Sequence, residues 1–268
     1  MRYKKQEKFR MKKYVMDWVV FDNQRLDDRH LLLILNPSNG IMPEMRPGQF
    51  VQLKSNASQD TFLRLPISIN YIDEEKKQLW LMVQMIGEGT KALANLRRND
   101  ILNLVLPLGN GFSIDKAQGR VLLVAGGVGI APMLYTGKAL KERGVVPTFL
   151  FGARSGNIIL EKELFENLGK LYVTTEDGSL GEKGFVTQHS ILNKEKYDMI
   201  MVCGPKPMMI AVARYAKNTR TDCEVSLENM MACGLGACLC CVEKTVKGNV
   251  CVCSEGPVFN IKQLTWQI

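Results

Sequence analysis

Between residues 233 and 241 the chain reads CGLGACLCC, four cysteines in nine positions with two glycines between the first pair. No other stretch constrains the fold as tightly, because thiols this dense must either share a centre or serve as small core residues. Four uses are open: a disulfide knot, a structural zinc site, an iron–sulfur cluster, or packing. Cys233, Cys238 and Cys241 give C-x4-C-x2-C, and Cys253 follows twelve residues after Cys241. That is the plant-type [2Fe–2S] spacing. Zinc ribbons use paired CxxC knuckles, which this triplet with a distant partner fits poorly. By spacing alone Cys251 is also a candidate fourth ligand. The glycines let the backbone wrap closely and leave N–H groups uncovered to donate to sulfur. Cys203, Cys223 and Cys240 lie outside the pattern.

The compartment bears on the choice. No apolar segment follows the basic residues at the start, and runs such as HLLLIL and RVLLVA are far too short to cross a bilayer. The expectation is a cytoplasmic protein without membrane association, where clustered thiols serve metal or redox chemistry more often than disulfides. The formal charge of +8 invites a nucleic-acid reading. Residues 1–13, however, hold seven Lys/Arg and one Glu, leaving +2 for the remainder. This is a basic arm on a near-neutral body, so no nucleic-acid partner is expected. A zinc-stabilised binding protein using that arm on nucleic acid remains the rival from a different class.

Residues 14–115 read as a run of strands: YVMDWVVFDN, HLLLILN, GQFVQLK, FLRLPISINYI, QLWLMVQMI and ILNLVLPLG, separated by turn residues and interrupted by one short helix, TKALANLRR. This predicts an antiparallel six-stranded β-barrel. From 116 to 221 the pattern alternates: strands at 120–125, 147–152, 171–175 and 198–203, helices at 130–142, 161–168 and 206–217. Alternation of this kind predicts a parallel-sheet nucleotide-binding α/β domain. Residues 222–268 form a small cysteine-rich domain. The fold class is therefore α+β multidomain.

Two junctions of the parallel domain carry chemistry. VAGGVGIAPM joins the first parallel strand to a helix, and Gly126, Gly127 and Gly129 permit turns and close approaches that a Cβ would block. A helix N-terminus following such a turn favours an anion. In an open parallel sheet, ligands sit beyond the carboxyl ends of the strands. On the same edge lie FGARS, TTEDGS and VCGPKPMM. Cys203-Gly204-Pro205 is a strand-to-helix junction whose thiol faces the crevice. In the barrel, IGEGTKAL puts Gly89 and Thr90 at another helix start.

A barrel carrying RLPIS (Arg64, Leu65, Pro66, Ile67, Ser68), then a domain with GGVGIAPM and CGP, resembles the ferredoxin–NADP reductase superfamily. The resemblance implies a barrel that holds FAD and a second domain that holds NAD. With ENMMACGLGACLCCVE and VCSEGPVF at the C-terminus, the chain resembles more closely the electron-transfer subunits of class 1B dihydroorotate dehydrogenases, from about residue 13 onward. That resemblance implies Cys233, Cys238, Cys241 and Cys253 as ligands of a [2Fe–2S] cluster. It places Leu65, Pro66, Ile67 and Ser68 along the flavin, and Gly89 and Thr90 at its phosphates. Gly126, Gly127, Gly129, Gly204 and Pro205 would border the nicotinamide cofactor, with Cys203 at the reacting centre. The family usually has consecutive arginines before the proline. Here residue 65 is Leu; Arg64 is counted with Leu65 to Ser68 as a candidate flavin contact, although strand alternation turns it toward the opposite face. The implied partner is an FMN-containing catalytic subunit, in a heterotetramer of two plus two, within pyrimidine biosynthesis. Electrons would reach the cluster singly, pass to FAD, and leave as hydride to NAD⁺. Glu176 and Asp177, beyond a parallel strand, favour NAD over NADP because acid there repels a 2′-phosphate. The rival of the same build is the flavin/[2Fe–2S] subunit of a ferredoxin–NADP oxidoreductase or a sulfide dehydrogenase.

Overall fold

The computed structural model describes residues 12–54 and 61–268, so most of the basic arm lies outside the described residues. The first sheet contains β1 (Tyr14–Arg25), β2 (His30–Pro37), β3 (Phe50–Lys54), β4 (Leu65–Ser68), β5 (Tyr71–Asp73), β6 (Gln78–Gln84) and β7 (Ile101–Leu108). Their order is β4-β3-β7-β1-β2-β6-β5, and every pairing is antiparallel. The two edge strands are consecutive in the chain, so the sheet curls until its edges meet. The segment expected to be one strand, FLRLPISINYI, splits at Ile69–Asn70. There Ile69 N–H donates to Gln49 O and Asn70 N–H to Trp80 O, bonds that carry the chain from one edge to the other. The barrel thus has seven strands where six segments were expected. A short helix α1 (Glu88–Ala92) leads into β7.

The second sheet holds β8 (Val121–Gly126), β9 (Thr148–Ala153), β10 (Lys170–Thr175), β11 (Glu182–Lys183), β12 (Met199–Cys203) and β13 (Asp222–Ser226). It also includes β16 (Val258–Asn260), which lies beyond the hairpin β14 (Val242–Thr245) and β15 (Gly248–Cys251). The order is β11-β10-β9-β8-β12-β13-β16, parallel except for β16. Helices α2 (Ala131–Glu142), α3 (Lys162–Leu168), α4 (Ile191–Lys194) and α5 (Lys206–Thr219) are the crossovers. A last turn, α6 (Val252–Glu255), carries Cys253. The chain leaves β8 toward β9 on one side and reaches β12 on the other, so the sheet reverses between β8 and β12. That reversal is where such sheets open a ligand crevice. The boundary expected after residue 221 falls at the start of β13, so the cysteine-rich tail begins as a strand of the parallel sheet.

The continuous apolar run of β2 is unusual for an antiparallel strand, and its packing explains it. Leu31, Leu33 and Leu35 point into the barrel core beside Trp18, Val51 and Leu81. Leu32 and Ile34 join the core of the second sheet with Leu123, Met133 and Phe149. One strand thereby buries both faces and joins the two sheets. β3 does the same toward the tail: Val51 and Leu53 enter the barrel, while Phe50 packs in a cluster with Leu227, Cys241, Val252 and Cys253. Among the described residues no helix is long and apolar enough to cross a membrane.

Candidate redox site

Two glycines at the strand ends, Gly129 and Gly204, are required by backbone contact. A Cβ on Gly129 would lie 2.5 Å from Cys203 O and 2.7 Å from Gly204 Cα. One on Gly204, whose φ is +148°, would lie 3.0 Å from Gly126 N and O. The two strand-end turns therefore pack backbone against backbone, which only glycine allows. Pro205 caps α5 with no N–H to leave unpaired.

Beside these turns opens a cleft of about 680 Å³. The barrel contributes Phe50, Leu65, Pro66, Ile67, Ser68, Met82 and Gln84, and the helix start after β6 contributes Gly89 and Thr90. Val128 and Ala131 enter from the glycine turn, and Ser226 to Met231 with Pro257 enter from the tail. Six of the seven barrel residues singled out in the sequence meet here. Arg64, expected as a flavin contact, does not: its Nη1 donates to Asn103 O at 2.9 Å and its Nη2 to Asn103 Oδ1 at 2.5 Å. Those bonds tie it to β7 on the far side of the strand, as alternation predicts. The Thr90 hydroxyl accepts from Ile86 N and Gly87 N, closing the turn that starts α1.

The Cys203 thiol was expected to face the crevice. It is 1% exposed instead. It donates to Glu228 Oε1 at 3.7 Å, and burial holds its pKa well above the usual thiol value. Cys203 reaches the cleft through Glu228 and Ser226, which line it. β12 is central and buried on both faces, so its last side chain points into the core. Alternation along so short a strand does not disclose this. Glu228 escaped the sequence reading altogether, although it opens the quoted ENMMACG stretch.

Beyond the cleft the tail folds over its thiols. Cys233 Sγ accepts from Leu235 N at 3.3 Å and Ala237 N at 3.4 Å. Cys253 Sγ accepts from Gly236 N at 3.1 Å, and Cys241 Sγ from Cys253 N at 3.3 Å. The N–H donors lower the Cys233 thiol to about 6, toward the thiolate a metal needs. Burial and the neighbouring Cys241 push Cys253 up to about 12. Cys233 lies beside Cys238 and Cys253 beside Cys241, with Cys251 a third neighbour of Cys241. Among the described residues no group of three or more His, Cys, Asp and Glu side chains is arranged to hold a single metal ion. Two thiol pairs under backbone N–H groups fit a two-iron cluster, in which each iron takes two thiolates and the sulfurs accept hydrogen bonds. In the outer pair Cys238 is exposed and Cys233 half-buried, and the inner pair, Cys241 and Cys253, is buried.

A second crevice of about 390 Å³ lies at the carboxyl ends of β9 and β10, lined by Ser155, Gly156, Asn157, Asp177, Ser179 and Leu180. Ser179 donates to Asp177 Oδ1 from both N and Oγ, which holds the carboxyl below its usual range and charged at neutral pH.

With the geometry in view, the comparisons are specific. Residues 228–265 match the iron-sulfur cluster binding domain of dihydroorotate dehydrogenase B, and residues 123–214 match the oxidoreductase NAD-binding domain. The dihydroorotate dehydrogenase B (NAD(+)) electron transfer subunit of Caldanaerobacter subterraneus is 42% identical over 217 residues, covering 80% of this chain and 84% of that one. The chain belongs to that family. The Clostridium acetobutylicum electron transfer subunit is 39% identical over 216 residues, covering 81% and 85% of the two chains. A solved structure described as an NADH-dependent reduced ferredoxin-NADP oxidoreductase superimposes with a TM-score of 0.82 at 30% identity, covering 93% of this chain and 90% of that one. The electron-transfer-subunit family therefore shares its build with a bifurcating reductase.

Proposed function

We propose that the chain is the electron-transfer subunit of an NAD-dependent dihydroorotate dehydrogenase of pyrimidine biosynthesis. It passes electrons from the FMN of a catalytic partner, through a [2Fe–2S] cluster and FAD, to NAD⁺. The observation that carries this reading is the single cleft where the barrel motif, the glycine turn and the residues leading into the thiol loop meet. Cys233, Cys238, Cys241 and Cys253 hold the cluster. Leu65 to Ser68, Gly89 and Thr90 seat the flavin. Gly126, Gly127, Gly129, Gly204 and Pro205 let the nicotinamide cofactor approach. The flavin, when bound, exchanges one electron on the cluster side and two on the nicotinamide side, which the cluster alone cannot do. The chain's own work is positional. Phe50, Ile67, Met82 and Val128 keep water from the cleft. Glu228 presents a carboxyl at its wall, backed by the protonated Cys203 thiol, which acts as a positioning residue. The charged Asp177 in the second crevice favours a free ribose 2′-hydroxyl over a 2′-phosphate. NADH should therefore reduce the bound flavin at least tenfold more efficiently than NADPH in stopped-flow mixing, and equal efficiencies would exclude this role for Asp177.

The partner docks over the outer thiol pair, where Met230, Leu235 and Leu239 are exposed, in a two-plus-two assembly in the cytoplasm. A purified chain that is brown-yellow, with flavin and two irons per molecule, and that couples dihydroorotate oxidation to NAD⁺ reduction when mixed with an FMN-bearing partner, is the expected result. A zinc-loaded, colourless chain would defeat it. The second reading, the small subunit of a ferredoxin–NADP oxidoreductase, is favoured by the TM-score of 0.82 and by Arg64-Leu65-Pro66 in place of paired arginines. It predicts the same colour but no turnover with dihydroorotate.

A further inference from the structure

Gln52 stands in the wall between the flavin cleft and the thiol loop. Its position on β3 puts it on the same face as Phe50, which lines the cleft. Its partner across the strand pair, Pro66, also lines the cleft. On its other side is the loop that follows Cys233. A Cβ added to Gly234, whose φ is +68°, would lie 2.7 Å from Gln52 Cγ and 3.0 Å from Nε2. The amide thus rests against the backbone between Cys233 and Cys238.

The side chain is 0% exposed, and neither Nε2 nor Oε1 has a hydrogen-bond partner. Among the described residues, Gln52 alone has two such atoms. Its backbone carbonyl is served by Arg64 Nη1 at 3.3 Å, so the deficit belongs to the side chain. A buried amide left unpaired is destabilising, whereas a methionine of similar length carries no such desolvation cost. The Nε2 donor is accounted for if the group that fills the thiol loop is its partner. Sulfur accepts but does not donate, and such bonds stabilise the more negative, reduced form.

We propose that the Gln52 side-chain N–H donates a hydrogen bond to a sulfur of the cluster on the Cys233–Cys238 side, and thereby raises the cluster's reduction potential. The inference rests on the cluster reading above, and the test separates the two. In the wild-type holoprotein, labelled with [side-chain ¹⁵N]glutamine and reduced, pulsed EPR of the cluster should detect a ¹⁵N coupling. Gln52→Met should abolish that coupling, keep the iron content, and shift the cluster's potential to more negative values in an anaerobic titration while the flavin's stays put. No coupling in an iron-loaded wild type overturns the inference even if the variant fails to fold. So does a variant with full iron and an unmoved potential, or one in which only the flavin's potential moves. A wild type without iron overturns the cluster reading itself.

Discussion

At the scale of single residues, the site is built by what is left out. Gly129 has no side chain because the Cys203 carbonyl occupies the space one would need. A backbone obstacle cannot swing aside as a side chain would, so Gly129→Ala should cost about 2–3 kcal/mol, the upper part of the overpacking range. For a chain of this size that lowers Tm by roughly 5–10 °C. Differential scanning calorimetry checks it, and a shift under 2 °C would mean that the two turns can part. The thiols divide in the same manner. Cys238 pairs with Cys233, whereas Cys240 is exposed and donates only to Met230 O at 3.6 Å. Cys238→Ser should therefore strip most of the iron, and Cys240→Ser should keep it, as read by iron analysis and visible absorption. Spacing identified which cysteines to watch. It did not separate Cys251 from Cys253, two positions apart; in the fold both reach Gly236, Cys251 donating to its O and Cys253 accepting from its N.

At the scale of elements, the joint between barrel and parallel sheet contains a titratable contact. Glu161 caps α3 in a left-handed conformation and accepts from Asn70 Nδ2 at 3.0 Å, while Asn70 also donates to Ala131 O at the start of α2. Burial raises the Glu161 carboxyl to about 7. An acid whose folded pKa lies above its unfolded value holds its proton more tightly when folded, so stability declines as pH climbs from about 4.5 to about 7. The loss is at most about 3 kcal/mol by the linkage constant. Glu161→Gln should match the wild type near pH 4.5 and exceed it above pH 7.5. Thermal unfolding across that range measures the difference, and parallel curves would show that the carboxyl stays solvated. The helix boundaries around this joint were legible to within a residue from periodicity. The joint itself was not, because Asn70 and Glu161 are 91 positions apart.

At the scale of the whole molecule, the tail is part of the framework rather than an appendage. β13 and β16 complete the parallel sheet, and Ser226 to Met231 wall the cleft. A chain ending at residue 221 loses two of seven strands in that sheet. It should bind no flavin and show no cooperative melt by circular dichroism. A truncated chain that melts sharply and retains FAD would show the tail to be separable. β16 is only three residues long and pairs antiparallel, too short for a periodic signal, so its place could be found only in three dimensions.

Sequence by itself determined the order of the elements, the class of each sheet, the thiol spacing and the turn glycines, because these rest on local period, turn chemistry and fixed ligand intervals. Tertiary structure alone decided that Cys203 is buried behind Glu228, that Arg64 binds β7, and that Gln52 lies unpaired beside the cluster loop. Each of those outcomes depends on which distant segment packs against the residue, and no local pattern along one strand encodes that.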